Sequence, residues 1–178
     1  MAKEIKNNHL YIDGCDTVEL AKTFGTPLYV YSVSEIREEC QKIQAQFLTR
    51  YSKTRAAYAA KAFCTTAMLQ VIKSEGLSLD VVSGGELYTA IQADFPAEHI
   101  EFNGNNKSIE ELAAALDYGV GRIIVDGIQE VGLIRALCQE KQVVAKILLR
   151  ITPEVSVSTH QFISTGQKDS KFGIPLDE

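Results

Sequence analysis

Lys61 ends a run of small residues, Ala56, Ala57, Tyr58, Ala59 and Ala60, and that placement makes it a candidate for chemistry. Small side chains let a strand lie deep in a sheet, where an ammonium is costly to desolvate. The amine is then more readily neutral and free to condense with a carbonyl substrate or an aldehyde cofactor such as pyridoxal phosphate. The same position suits a lysine that snorkels to solvent from a strand end, and composition alone leaves both readings open. Other polar residues stand at comparable places: Asp80 with Ser83, Gly84 and Gly85 in LDVVSGGEL, residues 103–107 (NGNNK), Asp126, and Arg150 in LLRITP. The Gly84–Gly85 pair either exposes amides to an anion or simply makes a strand–helix corner. His160 lies in the polar, glycine-containing stretch 156–171. A loop of that length is usually a functional lid or a linker. With Gly166 inside it and no apolar period, it is expected to form a mobile lid, in which His160 either acts on substrate or is solvated.

The elements that must carry these residues are legible from periodicity. HLYIDG reads as a strand entering a turn, VELAKTFG as a short helical piece, and TPLYVYS as extended chain with β-rich residues Leu28 to Tyr31. A helix follows from Ser32 or Ser34, with Val33, Ile36, Cys40, Ile43 and Phe47 stepping by three or four into one stripe. Strands are then expected at Arg55–Ala60, Leu77–Val82, Ile100–Asn103, Arg122–Asp126 and Val143–Ile151. Helices are expected at Thr65–Glu75, Gly85–Asp94, Ile109–Tyr118 and Gln129–Glu140. Gly76 and Gly119 mark helix ends, and Ser108 with Glu111 spells a capping box.

Strand alternating with helix implies an α/β fold with a parallel sheet. Residues 33–178 hold five strands at about 29 residues per unit, so eight units would take roughly 230 residues, close to the size of a (β/α)8 barrel. A doubly wound sheet would need a ligand fingerprint at its switch point, and neither GxGxxG nor GxxxxGK[ST] is present. In a barrel the working residues stand at the C-terminal strand ends. Asp80 and Arg150 are therefore expected to face the mouth on the side of Lys61, within reach of a direct or water-bridged contact with each other.

Composition excludes several classes. The 178 residues are 46% hydrophobic and 23% charged, enough to bury a core and unlike a disordered chain. A net charge of -5 without a basic run argues against nucleic acid. MAKEIKNN lacks the layout of a signal peptide and no apolar run approaches the ~20 residues of a membrane span, so a soluble, cytoplasmic protein is expected. Cys15, Cys40, Cys64 and Cys138 form no CxxC pair and have no nearby histidine, so free thiols and no metal site are expected.

Taken together, YAAKAF, LSLDVVSGGELYTAIQA, FNGNNKS, LLRITP and HQFISTGQKDSKFGI resemble bacterial diaminopimelate decarboxylases, from about Gly25 to Gly173. These belong to the alanine-racemase-like, fold type III pyridoxal-phosphate enzymes. The resemblance implies an N-terminal pyridoxal-phosphate-binding (β/α)8 barrel, a C-terminal β-sandwich domain and a homodimer acting on a small amino-acid substrate. It makes Lys61 the lysine that holds the cofactor as a Schiff base. It sets Asp80, Arg150, His160, Ser170 and Lys171 at positions lining or covering the cofactor pocket. The activity implied is decarboxylation of meso-2,6-diaminopimelate to L-lysine, the last step of lysine biosynthesis. Within the superfamily, decarboxylases for ornithine, arginine or carboxynorspermidine are the nearest alternatives, and a non-enzymatic pyridoxal-phosphate-binding barrel is a rival from another class.

The resemblance also implies how the chain is divided. Residues 1–32 are expected to contribute strands to the β-sandwich domain, and residues 33–178 to form a barrel that stops after about five strands. The glycine-rich phosphate segment, the ring-stacking histidine, the EPGR-type motif, the glutamate for the pyridine nitrogen and the catalytic cysteine would all follow Glu178; Cys64 is not that cysteine. A chain ending there is expected to be inactive alone, with an open apolar strand edge that favours aggregation.

Overall fold

Asn7 and Asn8 both adopt positive φ, 50° and 64°, a conformation Asn tolerates better than most residues. They close a two-residue hairpin between β1 (Lys3–Lys6) and β2 (His9–Ile12), with Lys6 opposite His9. Asp13 and Gly14 repeat the device at 47° and 78° and lead into β3 (Cys15–Asp16). The computed structural model describes residues 3–153 and 172–176. These fall into two compact units, split between Ala56 and Ala57.

In the first unit, Asp16 caps α1 (Thr17–Phe24) by accepting from the Val18 amide at 2.8 Å. Helix α2 (Val33–Gln46) starts at Ser32, whose hydroxyl accepts from the Glu35 amide at 3.0 Å. The Asp13 carboxylate ties the second turn to this helix start, accepting from the Ser32 and Ser34 hydroxyls at 2.8 and 2.6 Å. Strand β1 is additional to the expected elements. Leu28–Tyr31, read as β-rich, forms no strand; its side chains are exposed and its β-propensity finds no ladder to join. Of the expected α2 stripe only Cys40 is buried within this unit.

The second unit holds the alternating pattern. Its elements are β4 (Ala57–Ala59), α3 (Thr66–Ser74), β5 (Ser78–Val81), α4 (Gly84–Gln92), β6 (Ile100–Phe102), α5 (Ile109–Tyr118), β7 (Arg122–Val125), α6 (Ile128–Lys141) and β8 (Ile147–Leu149). The strands pair in parallel in strict chain order, β4 to β8. That order fits a barrel winding in one sense; a doubly wound sheet would reverse it. The long strand expected over Val143–Ile151 is shorter than that. Residues 143–146 are irregular, and after Arg150 the chain resumes as β9 (Ile151–Thr152), which pairs in parallel with β10 (Ile174–Pro175).

Side-chain alternation sorts the sheet into two faces. Leu79, Val81, Ile100, Phe102, Ile123 and Val125 are at most 1% exposed. Leu112, Ile123, Val125, Ile134 and Leu137 form one continuous part of this helix-side core. The opposite face carries a polar row fixed by register, Ala59 beside Asp80, Asp80 beside Glu101, and Glu101 beside Arg122. Glu101 and Arg122 pair at 3.0 Å. Among the described residues β8 pairs only with β7, and no helix is long and apolar enough to cross a membrane.

Three of the βα corners share one device. Glu86, Glu111 and Glu130 each stand third in their helix. Their carboxylates accept from the Val82 amide at 2.8 Å, the Ser108 amide at 2.9 Å and the Asp126 amide at 3.1 Å. The Ser108–Glu111 pair is the capping box read from the sequence. At the other end of the sheet Gly121 lies against the preceding connection, donating to the Ala97 carbonyl at 2.8 Å; a Cβ there would sit 2.3 Å from the Glu98 carbonyl oxygen. Because that obstacle is backbone, Gly121→Ala is expected to destabilise the protein by about 1–3 kcal/mol in denaturant melts. A variant as stable as the parent would show that the β6–β7 approach is looser than described.

Candidate functional site

Lys61 sits on a single 3-10 turn, Ala60–Ala62, directly after β4. Ala60 is fully buried and pins the turn, and the Tyr58 hydroxyl donates to the Phe63 carbonyl at 3.0 Å, bracing it from strand to exit. The Lys61 side chain itself is exposed among the described residues. The desolvation expected from the small-residue run is therefore not met here: of the residues in that run only Ala60 is buried, and Lys61 stands out at the strand end. An amine held this way is accessible to a carbonyl from the C-terminal side of the sheet.

Asp80, at the end of the neighbouring strand, is half-buried. Burial pushes its carboxyl above the ordinary 3.8, and Glu101 and Glu86 add to that. A hydrogen bond from Asn103 and the positive charge of Lys61 pull the other way. Its Oδ1 is buried without a hydrogen-bond partner among the described residues. Such an atom is rare in folded proteins, and it is the kind of group a bound molecule satisfies.

Arg150 takes its carboxylate from elsewhere. Its Nη1 donates to Asp126 Oδ1 at 3.0 Å, and its guanidinium lies over the Phe172 ring at 4.3 Å. The expected contact with Asp80 is not made among the described residues: Asp80 stands three strands away in the sheet order, whereas Asp126 directly follows the adjacent β7. Asp126 is buried, and its Oδ2 also accepts from the Gly173 amide at 3.1 Å. Gly173 has φ of 81°, and a Cβ there would meet Thr152 Oγ1 at 2.7 Å. The Thr152 hydroxyl in turn donates to the Phe172 carbonyl at 2.5 Å. The FG of the SKFG motif is thus fitted to the end of β8 and β9.

Sequence reasoning gives no role to one member of the polar set. Lys107, from NGNNK, has a side chain only 1% exposed. Its Nζ lies 2.8 Å from Glu130 Oε1 and donates to the Gly104 and Ile124 carbonyls at 2.5 and 2.8 Å. The pair locks the loop after β6 to the corner after β7. Removing one partner of such a pair typically costs ~3–5 kcal/mol, because the other charge is left buried alone. His160, Ser170 and Lys171, and the lid expected over 156–171, lie outside the described residues.

Residues 33–178 match the family model described as the pyridoxal-dependent decarboxylase, pyridoxal binding domain. The chain is 51% identical over 175 residues to a diaminopimelate decarboxylase of Bacillus subtilis (strain 168), covering 98% of this chain and 40% of that protein. It is 53% identical over 171 residues to the diaminopimelate decarboxylase of Bacillus methanolicus, covering 96% and 40%. Among solved structures, a diaminopimelate decarboxylase from M. jannaschii in co-complex with L-lysine superposes with a TM-score of 0.85 at 39% identity. That match covers 99% of this chain and 42% of the other. The chain therefore spans about two fifths of the length of these relatives.

The Asp80 environment gives a pH test. A carboxyl raised by burial holds its proton in the folded state at pH values where the unfolded chain has released it. The folded state is then favoured below the ordinary 3.8 and loses that advantage as pH rises through the raised value. Asp80→Asn removes the loss, so in ligand-free protein its gain in urea midpoint is expected to grow from pH 4 to pH 7. A pH-independent difference would contradict the burial of this carboxylate.

Proposed function

The chain belongs to the pyridoxal-dependent decarboxylases through their pyridoxal-binding domain, and from that footing we propose that the protein carrying it converts meso-2,6-diaminopimelate to L-lysine and CO2, the last step of lysine biosynthesis, with pyridoxal 5'-phosphate as cofactor. The observation that carries this reading is the half-identity to diaminopimelate decarboxylases over nearly the whole chain. It is supported by the lysine complex of a relative that shares the fold. The proposal includes a cytoplasmic homodimer, with residues 1–32 contributing to a β-sandwich domain and residues 33–178 forming part of the barrel.

The residues present fit such a cofactor. Lys61 offers an exposed primary amine on a braced turn, Asp80 an orphaned buried oxygen near that amine's charge, and Arg150 guanidinium donors beyond the one given to Asp126. When bound, pyridoxal phosphate supplies a conjugated ring that takes up the electron pair left by departing CO2. Lys61 would hold it through its amine and release it to the substrate's amino group. Asp80, whose carboxyl feels that amine's charge, would accept a hydrogen bond from the bound cofactor or substrate with its unpartnered oxygen. Arg150 would meet an anionic group of cofactor or substrate with its remaining planar donors. His160, Ser170 and Lys171 complete the proposal on the substrate side.

Selectivity tests it. Full-length protein supplied with meso-2,6-diaminopimelate is expected to release CO2 and L-lysine with a kcat/KM at least ~100-fold above that for ornithine, arginine or carboxynorspermidine. Discrimination of that size fits a site that pairs a polar group of the preferred substrate and leaves it unpaired with the others. Preference for any of the other three would move the protein to another branch, and binding of cofactor without decarboxylation of any would favour the non-enzymatic pyridoxal-phosphate-binding barrel.

A further inference from the structure

The Arg150 guanidinium is held from two directions, by Asp126 Oδ1 at 3.0 Å and by the Phe172 ring at 4.3 Å. Only one nitrogen is engaged by Asp126, which leaves donors of the planar fork unused among the described residues. Asp126 is itself fixed. Its side chain is 6% exposed, its second oxygen accepts from the Gly173 amide at 3.1 Å, and its own amide donates to Glu130 Oε2 at 3.1 Å. Glu130 is anchored by the buried Lys107 at 2.8 Å. A continuous chain of contacts thus runs from the loop after β6, through the corner after β7, to the guanidinium at the end of β8. An arginine free to rotate at a strand end would sample several rotamers; this one is confined before any ligand arrives, which lowers the entropy lost on binding.

We propose that Asp126 is a positioning residue, which sets the guanidinium of Arg150 for the bound cofactor, with Lys107 and Glu130 holding the corner that carries it. The inference rests on the reading that Arg150 lines the cofactor pocket. The buried carboxylate does not touch the ligand; it acts by neutralising and aiming the arginine that does.

The test is a double-mutant cycle in the full-length protein, stripped of cofactor and titrated with pyridoxal phosphate by absorbance and fluorescence, with thermal melts alongside. Asp126→Asn and Arg150→Gln are each expected to weaken cofactor binding by about tenfold, and the double variant to lie within about twofold of Arg150→Gln alone, because coupled residues do not add. Should Asp126→Asn not fold, Asp126→Glu keeps the charge but displaces it by one methylene. It is expected to lose affinity when Arg150 is present and none when it is Gln. Additive losses, or a lowered melting temperature with unchanged affinity, would reduce Asp126 to a structural role and overturn the inference. Affinity lost in Arg150→Gln but kept in Asp126→Asn would overturn the inference alone, whereas full affinity in Arg150→Gln would remove both it and the reading beneath it.

Discussion

A parallel strand that ends at the mouth of a sheet leaves backbone amides without a ladder partner, and the helix that follows begins with more of the same. Three of the corners answer with one carboxylate each: Glu86 takes the Val82 amide, Glu111 the Ser108 amide and Glu130 the Asp126 amide. Each glutamate also places negative charge in the first helical turn, where the dipole favours it. After β5 and β7 the strand end and the helix start are thereby fixed to each other, and the residues between them inherit that fixity. Glu111 extends the arrangement sideways, its other oxygen accepting from the Gly84 amide at 2.5 Å and joining two corners. Lys107 does the same between the β6 loop and the β7 corner.

The inner face of the sheet follows a different logic. A parallel sheet is normally apolar on both sides, yet here register aligns Asp80, Glu101 and Arg122 across three strands. Glu101 is neutralised by Arg122 at 3.0 Å, while Asp80 keeps one oxygen buried and unpaired among the described residues. Such an arrangement lowers stability locally, and it persists where the surrounding structure over-determines it and a ligand offsets the cost. Lys61, raised on its turn beside this row, and Arg150, confined by Asp126 and Phe172, frame the same end of the sheet from opposite edges.

Much of this was legible in the sequence because the signals were local. Helix α5 spans the residues that apolar period, capping box and terminal glycine all mark, Ile109 to Tyr118. The place of Lys61 directly after a strand was legible from the four alanines and Tyr58 before it, but its exposure was not. What was hidden depended on residues distant in sequence. The partner of Arg150 could not be read because Asp126 and Asp80 are equally plausible carboxylates until strand order places one of them next door. The burial of Lys107 was hidden because its neighbours, NGNN, read as a solvated loop. The β1 hairpin was missed although Asn7–Asn8 is a sound turn signal, because KEIK alternates too weakly to announce a strand. Leu28–Tyr31 forms no strand among the described residues: β-rich composition describes fit to a ladder, and none of the described strands pairs with it.

The proposed chemistry turns on one amine, that of Lys61. Borohydride reduction of the full-length, pyridoxal-phosphate-loaded protein, followed by proteolysis and mass mapping, reports which lysine carries the cofactor. A reduced pyridoxyl adduct is expected on the peptide containing Lys61, and its loss in Lys61→Ala. An adduct on Lys107 or any other lysine, with Lys61 unlabelled, would contradict that chemistry.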